Sequence, residues 1–442
     1  MYRVKYLCVI WVVFLCCCQT KDYKSAINYP QLYRLTVKKL NDIVLENNFP
    51  PVIASRNYAY ANIAAYEVIA AQNPELYKSL AGQIKHLPPS PVPDKTLEID
   101  FPFAALLSFC VVGNAVTFPE GSMDVYVDEL KQQVKEAGMP SDVFKTSVDY
   151  SNTVAKHILN WSKTDNYALT RSASKYTVTQ QEGRWISTPP MYAQALEPHW
   201  YEIRPLVLDS AAQITVKPPP VFNVKNKQSV FFKSAIEVQN IVTHLTLDQK
   251  HIADFWDDNA FKMNVVGHAS FVTKKFSPAG HWMNIVGIAT QKNNANFAST
   301  VAAYTQTSIA IFDAFLSCWY TKYKYNYVRP ETVINKYIDA EWRTYIQTPP
   351  FPEYSSGHAV ISAAAAEILT NNFGDNIMYR DSSENEFGIA PRNFASFRQA
   401  AEEAAISRVY GGIHFKNSCV VGTLQGVEVG KLALKKLTLK IK

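Results

Sequence analysis

Three short segments near the C-terminus contain the residue types of an oxyanion-binding site. In the first, Lys322 and Arg329 are seven residues apart, so both cations would lie on one face if the segment were helical. Pro330 disfavours helical geometry at Arg329, which predicts that the guanidinium leaves a helix end and reaches into a cavity. Taken alone, such a pair is more often a solvated helix face.

The second segment is a Ser-Gly-His step that opens an Ala-rich helix. Ser356 and Gly357 would place a hydroxyl and backbone N–H groups where a helix N-terminus can hold an anion. His358 would lie in the first turn, where the helix dipole lowers its pKa and favours proton exchange. The ordinary alternative is a serine cap beside an exposed histidine.

The third segment places a histidine just beyond the predicted end of a helix. Arg408 is followed by Gly411 and Gly412, which should end that helix and leave the ring of His414 free to face a pocket. Arg408 and His414 alone would also fit a glycine cap followed by a core histidine.

Together the segments supply three cations, two neutral donors and two histidines. Guanidinium groups bind pairs of oxygens, and helix N–H groups add partial positive charge, so the set suits a tetrahedral or trigonal-bipyramidal oxyanion. Phosphate and vanadate both fit these residue types.

The elements that must position these side chains are predicted to be helices. Helical periodicity predicts an all-α protein with helices over 32–47, 56–71, 123–137, 141–161, 250–261, 298–322, 358–373, 392–410 and 420–439. Thr246 and Gln249 have the spacing of a capping box. Proline-rich stretches between 176 and 224 suggest a division near residue 225, with an N-terminal helical region over 19–224 and a catalytic helical bundle over 225–442. Helices of both halves could share one core.

The N-terminus is typical of an export signal. Two basic residues precede an apolar run that ends at Cys18 and is shorter than the approximately 20 residues needed to span a bilayer. We therefore expect residues 1–18 to be a signal peptide and the protein to be periplasmic, attached to the outer membrane or secreted. The sequence around Cys18 is similar to a lipoprotein signal, so a lipid anchor is the one membrane attachment expected.

The remaining composition excludes several classes of protein. A net charge of +6 over 442 residues, without a dense basic run, argues against a nucleic-acid partner. Cys110, Cys318 and Cys419 are few and widely spaced, which favours buried thiols over a disulfide framework.

Asp257 and Asp258 are predicted to be a solvated helix face. Four other histidines show no metal-ligand spacing and are interpreted as structural: His244, His251, His268 and His281. Of the residues in this region, His281 or Trp282 could line the approach to the site. A homo-oligomer is compatible with the sequence.

The three segments, in this order, resemble those of the vanadium-dependent haloperoxidases and the type-2 phosphatidic acid phosphatase superfamily. Further segments are similar to bacterial haloperoxidase-like proteins, so the resemblance covers most of the chain: they begin at Arg56, Glu197 and Pro278, and Trp319 precedes Lys322 by three residues.

The resemblance implies a role for each site residue. The vanadate or phosphate oxygens would be bound by Lys322, Arg329, Ser356, Gly357 and Arg408. His414 would bond to vanadium and His358 would be the general acid/base, with Lys322 polarising peroxide. The implied cofactor is vanadate. The implied substrates are hydrogen peroxide, a halide, for which iodide or bromide is expected, and an organic acceptor.

Two positions depart from the family pattern. Ser355 replaces a proline, and Ser418 replaces an aspartate expected to orient the imidazole of His414. Three functions remain open at this point: a haloperoxidase, favoured by aromatic Trp319 and Phe351 near the halide region; an acid phosphatase with a phosphohistidine intermediate; and a catalytically silent oxyanion-binding lipoprotein.

Overall fold

The computed structural model describes residues 22–259, 262–266 and 268–440 and confirms the all-α class. In the N-terminal half the helices are α1 Tyr23–Ala26, α2 Tyr29–Glu46, α3 Pro51–Gln72, α4 Phe101–Val116, α5 Asp124–Glu136, α6 Ser141–Ser162 and α7 Tyr167–Ser172. In the C-terminal half they are α8 Val230–Thr243, α9 Leu247–Phe255, α10 Pro278–Lys292, α11 Phe297–Tyr325, α12 Pro330–Tyr337, α13 Gly357–Phe373, α14 Phe397–Tyr410 and α15 Lys416–Lys436. Short 3-10 turns occupy Trp200–Glu202 and Ser383–Phe387.

Two small antiparallel hairpins interrupt the helices. β1 (Lys262–Val266) pairs with β2 (Ala269–Thr273), and β3 (Tyr379–Asp381) pairs with β4 (Arg392–Phe394). The prediction of helix through residue 261 is therefore wrong, because α9 ends at Phe255, and helix from residue 392 is wrong, because that segment is a strand. The capping box of Thr246 and Gln249 at the start of α9 is confirmed.

One hydrophobic core extends across residue 225. The 29-residue helix α11 is buried along nearly its whole length and packs against α3 on one side and α13 and α15 on another. The same cluster of buried side chains contains members of α2, α3, α4 and α6 as well as α10, α11 and α13. Helices from the two halves are therefore held in place by the same apolar contacts, and the division near residue 225 stays a prediction.

Helices α13 and α15 approach each other closely because small residues line their contact. Gly422, Gly426 and Gly430 follow one another at intervals of one helical turn along α15. A Cβ atom on Gly426 would overlap the carbonyl oxygen of Val360, and one on Gly422 would lie 2.9 Å from the Ser356 carbonyl oxygen. This close approach fixes the N-terminus of α13 against the segment that follows α14.

The long connection between α7 and α8 is tied to α11 by a buried carboxylate. Asp313 accepts hydrogen bonds from the backbone N–H groups of Leu206, Val207 and Leu208 at 2.8, 2.7 and 2.7 Å. Three donors that would otherwise be buried without partners are satisfied by one side chain.

The predicted signal segment, with Cys18, lies outside the described residues. Within the described ranges, no helix combines the length and apolar character that crossing a bilayer requires. Cys110, Cys318 and Cys419 are buried free thiols, as predicted.

Candidate active site

A cavity opens beside the N-terminus of α13, between the end of α14 and the loop that precedes α13. Polar groups from three separate segments and aromatic rings from two others meet there. Its lining includes Phe315, Trp319, Phe351, Gly357, His358, Arg408 and His414.

His414 lies past the end of α14, as predicted from the two glycines, and the residue is 2 % exposed. Nδ1 is 2.8 Å from Oε1 of Glu353, and Arg329 Nη1 lies 3.1 Å from Nε2. The carboxylate of Glu353 accepts a hydrogen bond from a protonated Nδ1. Arg329 can only donate, so its contact requires a lone pair on Nε2. Both neighbours therefore select the tautomer whose Nε2 can bind a metal centre.

Glu353 is the functional residue that the sequence analysis missed. Its buried carboxylate accepts from the backbone N–H of Phe415 at 3.0 Å and from the Ser418 hydroxyl at 2.6 Å, in addition to the ring of His414. Ser418 thus takes part in orienting His414 indirectly, through a carboxylate that comes from a different segment. The departure from the expected aspartate leaves no gap in the hydrogen bonding of the ring.

Lys322 and Arg329 are both fully buried but do not share a helix face, so that prediction is wrong. Helix α11 ends at Tyr325, and Arg329 is the residue that precedes α12. The guanidinium does leave a helix end, as Pro330 predicted, and donates to the carbonyl oxygens of Phe351 and Ile413. Because the backbone between the two residues turns, they reach the site from different directions.

Lys322 lies beside the aromatic wall of the site, which is formed by Trp319 and Phe351. Its Nζ donates to the carbonyl oxygens of Pro352 and Glu353 at 2.9 and 3.0 Å and lies 4.9 Å from the centre of the Phe351 ring. Burial lowers the pKa of Lys322 to about 7 and raises the pKa of Glu353 to about 7. An anion in the cavity would favour the charged form of the lysine.

The N-terminus of α13 presents bare donors, as the Ser-Gly pattern predicted. Ser356 precedes the helix, yet its hydroxyl makes no capping bond and, though fully buried, has no hydrogen-bond partner. A Cβ atom on Gly357 would lie 3.7 Å from the Trp319 ring and 4.0 Å from Lys322 Cε, so the glycine leaves the backbone open toward both. The backbone N–H of Ser356 donates to the Ser418 carbonyl oxygen at 3.2 Å, so the donors left for a ligand are the Ser356 hydroxyl and the first N–H groups within the helix.

His358 and Arg408 complete the polar side of the cavity. Nε2 of His358 lies 3.4 Å from Oδ2 of Asp258, while burial and the charge of Arg408 lower the pKa of His358 to about 4. Arg408 donates to the carbonyl oxygens of Trp256 and Asp257, and its buried Nε has no partner.

Two further predictions about this region are wrong. Asp257 and Asp258 are not a solvated helix face, because they follow the end of α9 and are 2 % and 3 % exposed. His281 and Trp282 are both buried and are absent from the described cavity lining, so neither lines the approach. Two adjacent aspartates are usually exposed, so nothing in the sequence indicated that this pair is buried.

The residues present fit a tetrahedral or trigonal-bipyramidal oxyanion such as vanadate. Donors without partners, which are costly when buried, remain at Ser356 Oγ and Arg408 Nε. Lys322 and Arg329 add two more cations that are buried around the same space. A bound oxyanion would supply acceptors to these donors and balance their charge.

Comparison with solved structures gives a match over nearly the whole chain. The structure of "the first bacterial vanadium dependant iodoperoxidase" is 43% identical, with a TM-score of 0.88, and the match covers 93% of this chain and 98% of that one. The holo-type bacterial vanadium-dependent chloroperoxidase is 16% identical with a TM-score of 0.64, covering 88% of this chain and 92% of that one. The apo-type form gives 17%, 0.65, 88% and 94%, respectively. These two share the fold.

The family model described as the VCPO second helical-bundle domain matches residues 302–340 and 335–442. That span contains Lys322, Arg329, Ser356, Arg408 and His414. A search of curated proteins gives no match. The identity and coverage shared with the iodoperoxidase, together with the site geometry, show that the chain belongs to the vanadium-dependent haloperoxidase family.

Proposed function

We propose that this vanadate-dependent haloperoxidase oxidises iodide in preference to bromide, using hydrogen peroxide, and that the resulting hypohalous acid halogenates organic acceptors. Iodide is proposed because the 43%-identical relative is an iodoperoxidase. The observation that most directly supports the chemistry is His414, whose Nδ1 is bonded to Glu353 and whose Nε2 is the acceptor of Arg329.

Vanadate would be held by His414 Nε2 and by the donors around it. When bound, it supplies the Lewis-acid centre at which peroxide is activated toward a halide. Lys322, Arg329 and Arg408 would neutralise the negative oxygens, and Ser356 and Gly357 would donate to them from the start of α13. Arg329, which donates to Nε2 in this structure, would then donate to an oxygen of the bound anion.

His358 is the group suited to move protons. Asp258 Oδ2 lies beside its Nε2 and is placed to accept that N–H, which leaves Nδ1 available to take a proton from incoming peroxide and return it to leaving water. The low pKa of His358 keeps the ring neutral and therefore able to accept a proton near neutral pH.

The halide would approach along the aromatic wall. Trp319 and Phe351 contact each other with ring centres 5.0 Å apart, and Lys322 lies within 5.9 Å of both rings. A large polarisable halide suits such a wall, whereas the buried lysine attracts its charge. The organic acceptor would then react outside this narrow space.

The activity is tested by halogenation of a phenol-type acceptor with hydrogen peroxide and iodide or bromide, with and without orthovanadate. We expect turnover that depends on vanadate, is faster with iodide and is lost in His414→Ala. His244→Ala, at an exposed histidine outside the cavity lining, is the matched control and should keep activity. Faster turnover with bromide would contradict the iodide preference, and vanadate-inhibited phosphoester hydrolysis without halogenation would favour the phosphatase alternative.

We also propose that the protein is exported and anchored through Cys18. The support is the basic, apolar and cysteine-ending order of residues 1–18. Labelling with a radioactive fatty acid should mark the wild-type protein in its native host and not Cys18→Ser. Equal labelling of both would contradict the anchor.

A further inference from the structure

A second polar cluster is buried behind His358, centred on His281 of α10. The His281 ring is fully buried, and its Nδ1 lies 2.9 Å from Oδ1 of Asp258 and 3.7 Å from Oε1 of Glu384. Its Nε2 lies 3.0 Å from Oδ2 of Asp381. The active-site residues use only the opposite oxygen of Asp258, so this cluster is not explained by the chemistry of the cavity.

Glu384 is the member of the cluster that its protein neighbours leave unsatisfied. Its side chain is 0 % exposed, and neither carboxylate oxygen has a hydrogen-bond partner. A buried carboxylate without partners is unfavourable, because its charge loses the solvation of water and gains no compensating bond. Protonation would remove the charge but would leave an O–H group with no acceptor. The position of Oε1 toward His281 Nδ1 indicates that the carboxylate is aimed at the centre of the cluster.

His281 has the support that metal-binding histidines commonly have. Asp381 faces Nε2, while its other oxygen accepts the backbone N–H and the hydroxyl of Ser383 at 2.9 and 2.6 Å. A carboxylate on one ring nitrogen fixes the tautomer and presents the other nitrogen as a ligand. Trp256 stacks on the ring at 4.5 Å between centres and an angle of 21°. The direction of Nδ1 is therefore fixed before any ion binds.

We propose that Asp258 Oδ1, His281 Nδ1 and a Glu384 carboxylate oxygen bind a divalent first-row transition-metal cation, for which Zn²⁺ is the representative. The three ligand atoms lie within 4.8 Å of one another. One imidazole and two carboxylates match the ligand preferences of zinc or manganese, whereas Ca²⁺ takes six to eight oxygens. The ion would be distinct from vanadate, whose site lies on the other side of His358.

Charge balance is compatible with this assignment. The cation takes the place of one proton on His281 Nδ1 and one on Glu384, so the buried cluster carries the same total charge with the ion as with the two protons. The ion also gives Glu384 the partner that the protein does not provide. It would join three separate parts of the chain, namely the segment after α9, helix α10 and the 3-10 turn Ser383–Phe387.

The proposed ion would act on the active site through Asp258. One oxygen of this carboxylate faces the cluster, and the other lies 3.4 Å from Nε2 of His358. A ligated Asp258 would be fixed in the orientation that keeps His358 in place. Asp258 is therefore a positioning residue shared by both sites.

The test uses the full-length, tag-free protein, without vanadate. After removal of bound metal with a chelator, Zn²⁺ and, separately, Mn²⁺ are titrated by calorimetry, and elemental analysis gives the stoichiometry. We expect one Zn²⁺ per chain in the wild type and loss of this binding in His281→Gln and Glu384→Gln. Asp381→Asn should bind about 10- to 100-fold more weakly, because only the orientation of His281 is affected.

Glu367→Gln is the matched control, because Glu367 is also buried but is paired with Arg398 and lies outside the cluster. It should bind Zn²⁺ as the wild type does. Absence of stoichiometric binding of either ion by the folded wild-type protein would overturn the proposal, as would unchanged binding in Glu384→Gln. Near-UV circular dichroism identifies a variant that does not fold, and the wild-type titration decides the question by itself in that case.

Discussion

At the scale of single residues, the site depends on how the ring of His414 is held. Glu353 and Arg329 select the same tautomer from opposite sides, and Ser418 orients Glu353. Burial lowers the pKa of His414 well below its usual value, so the ring is neutral before an anion binds. A neutral imidazole is the form that can bind a metal centre.

Glu353→Gln should weaken vanadate binding and lower halogenation by about 10- to 100-fold, the usual effect of losing a group that orients a metal ligand. The amide can keep one bond but can also present its NH₂ group to His414, which then favours the wrong tautomer. Vanadate titration and kcat measured in parallel would show this. Ser418→Ala, which leaves Glu353 bonded to His414 and Phe415, should have a smaller effect; an equal loss would contradict the leading role of Glu353.

Ser418→Asp, which restores the residue type of the family pattern, should lower activity and the unfolding temperature. The new carboxylate would face Glu353, whose oxygen lies 2.6 Å from the present hydroxyl, and two like charges cannot both be ionised there. In the Glu353→Gln background the same substitution should be much less harmful, because the repulsion is gone. Thermal unfolding of the single and double variants measures the coupling, and additive effects would contradict it.

At the scale of the elements, α11 positions both Lys322 and the connection between the halves. Asp313, on the same helix, is buried and bonded to three successive backbone N–H groups. The sequence predicted the helix correctly but gave no sign that this aspartate binds backbone groups of another segment. A long-range bond to backbone groups has no sequence signal, because any residue supplies an N–H donor.

Asp313→Ala should destabilise the protein by about 3 kcal/mol or more, since three buried donors lose their acceptor at roughly 1–3 kcal/mol each. Asp313→Asn, which retains one acceptor oxygen, should cost less. Denaturant unfolding compares the two. Equal stability of Asp313→Ala and the wild type would show that water or another group satisfies these donors.

The contact between α13 and α15 tests whether close helix packing supports the anion site. Gly426→Ala places a methyl group against the Val360 carbonyl, so the helices must separate, at a cost of about 1–3 kcal/mol. Vanadate affinity should fall as well, because α13 begins with the donors of Ser356 and Gly357. Val420→Ala, at a 52 % exposed position on the same helix, is the control and should leave both quantities nearly unchanged.

At the scale of the whole molecule, helices α10, α11 and α13 share their main hydrophobic core with helices of the N-terminal half. Residues 225–442 expressed alone should not fold cooperatively, because α11 and α10 would expose the apolar surfaces that now face α2 and α3. Heat capacity scans and amide proton dispersion would report this against the full chain. A cooperative transition in the fragment would show two independent domains.

The sequence by itself determined the helical class, the chemistry-bearing segments and the family they resemble. A helix and its end are local features of the chain. The spacing of Arg408, Gly411 and His414 is therefore enough to predict that the histidine follows the end of a helix. Pro330 also predicted correctly that Arg329 stands at the end of a helix.

Only the tertiary structure decided which residues meet. The carboxylate that orients His414 belongs to Glu353, which lies 65 residues along the chain from Ser418, where the aspartate was expected. The tertiary structure also buried Asp258 and His281 in one cluster, although they belong to different elements. Contacts between distant segments depend on how whole helices pack, and a carboxylate that serves a site looks the same in the sequence as one that faces water.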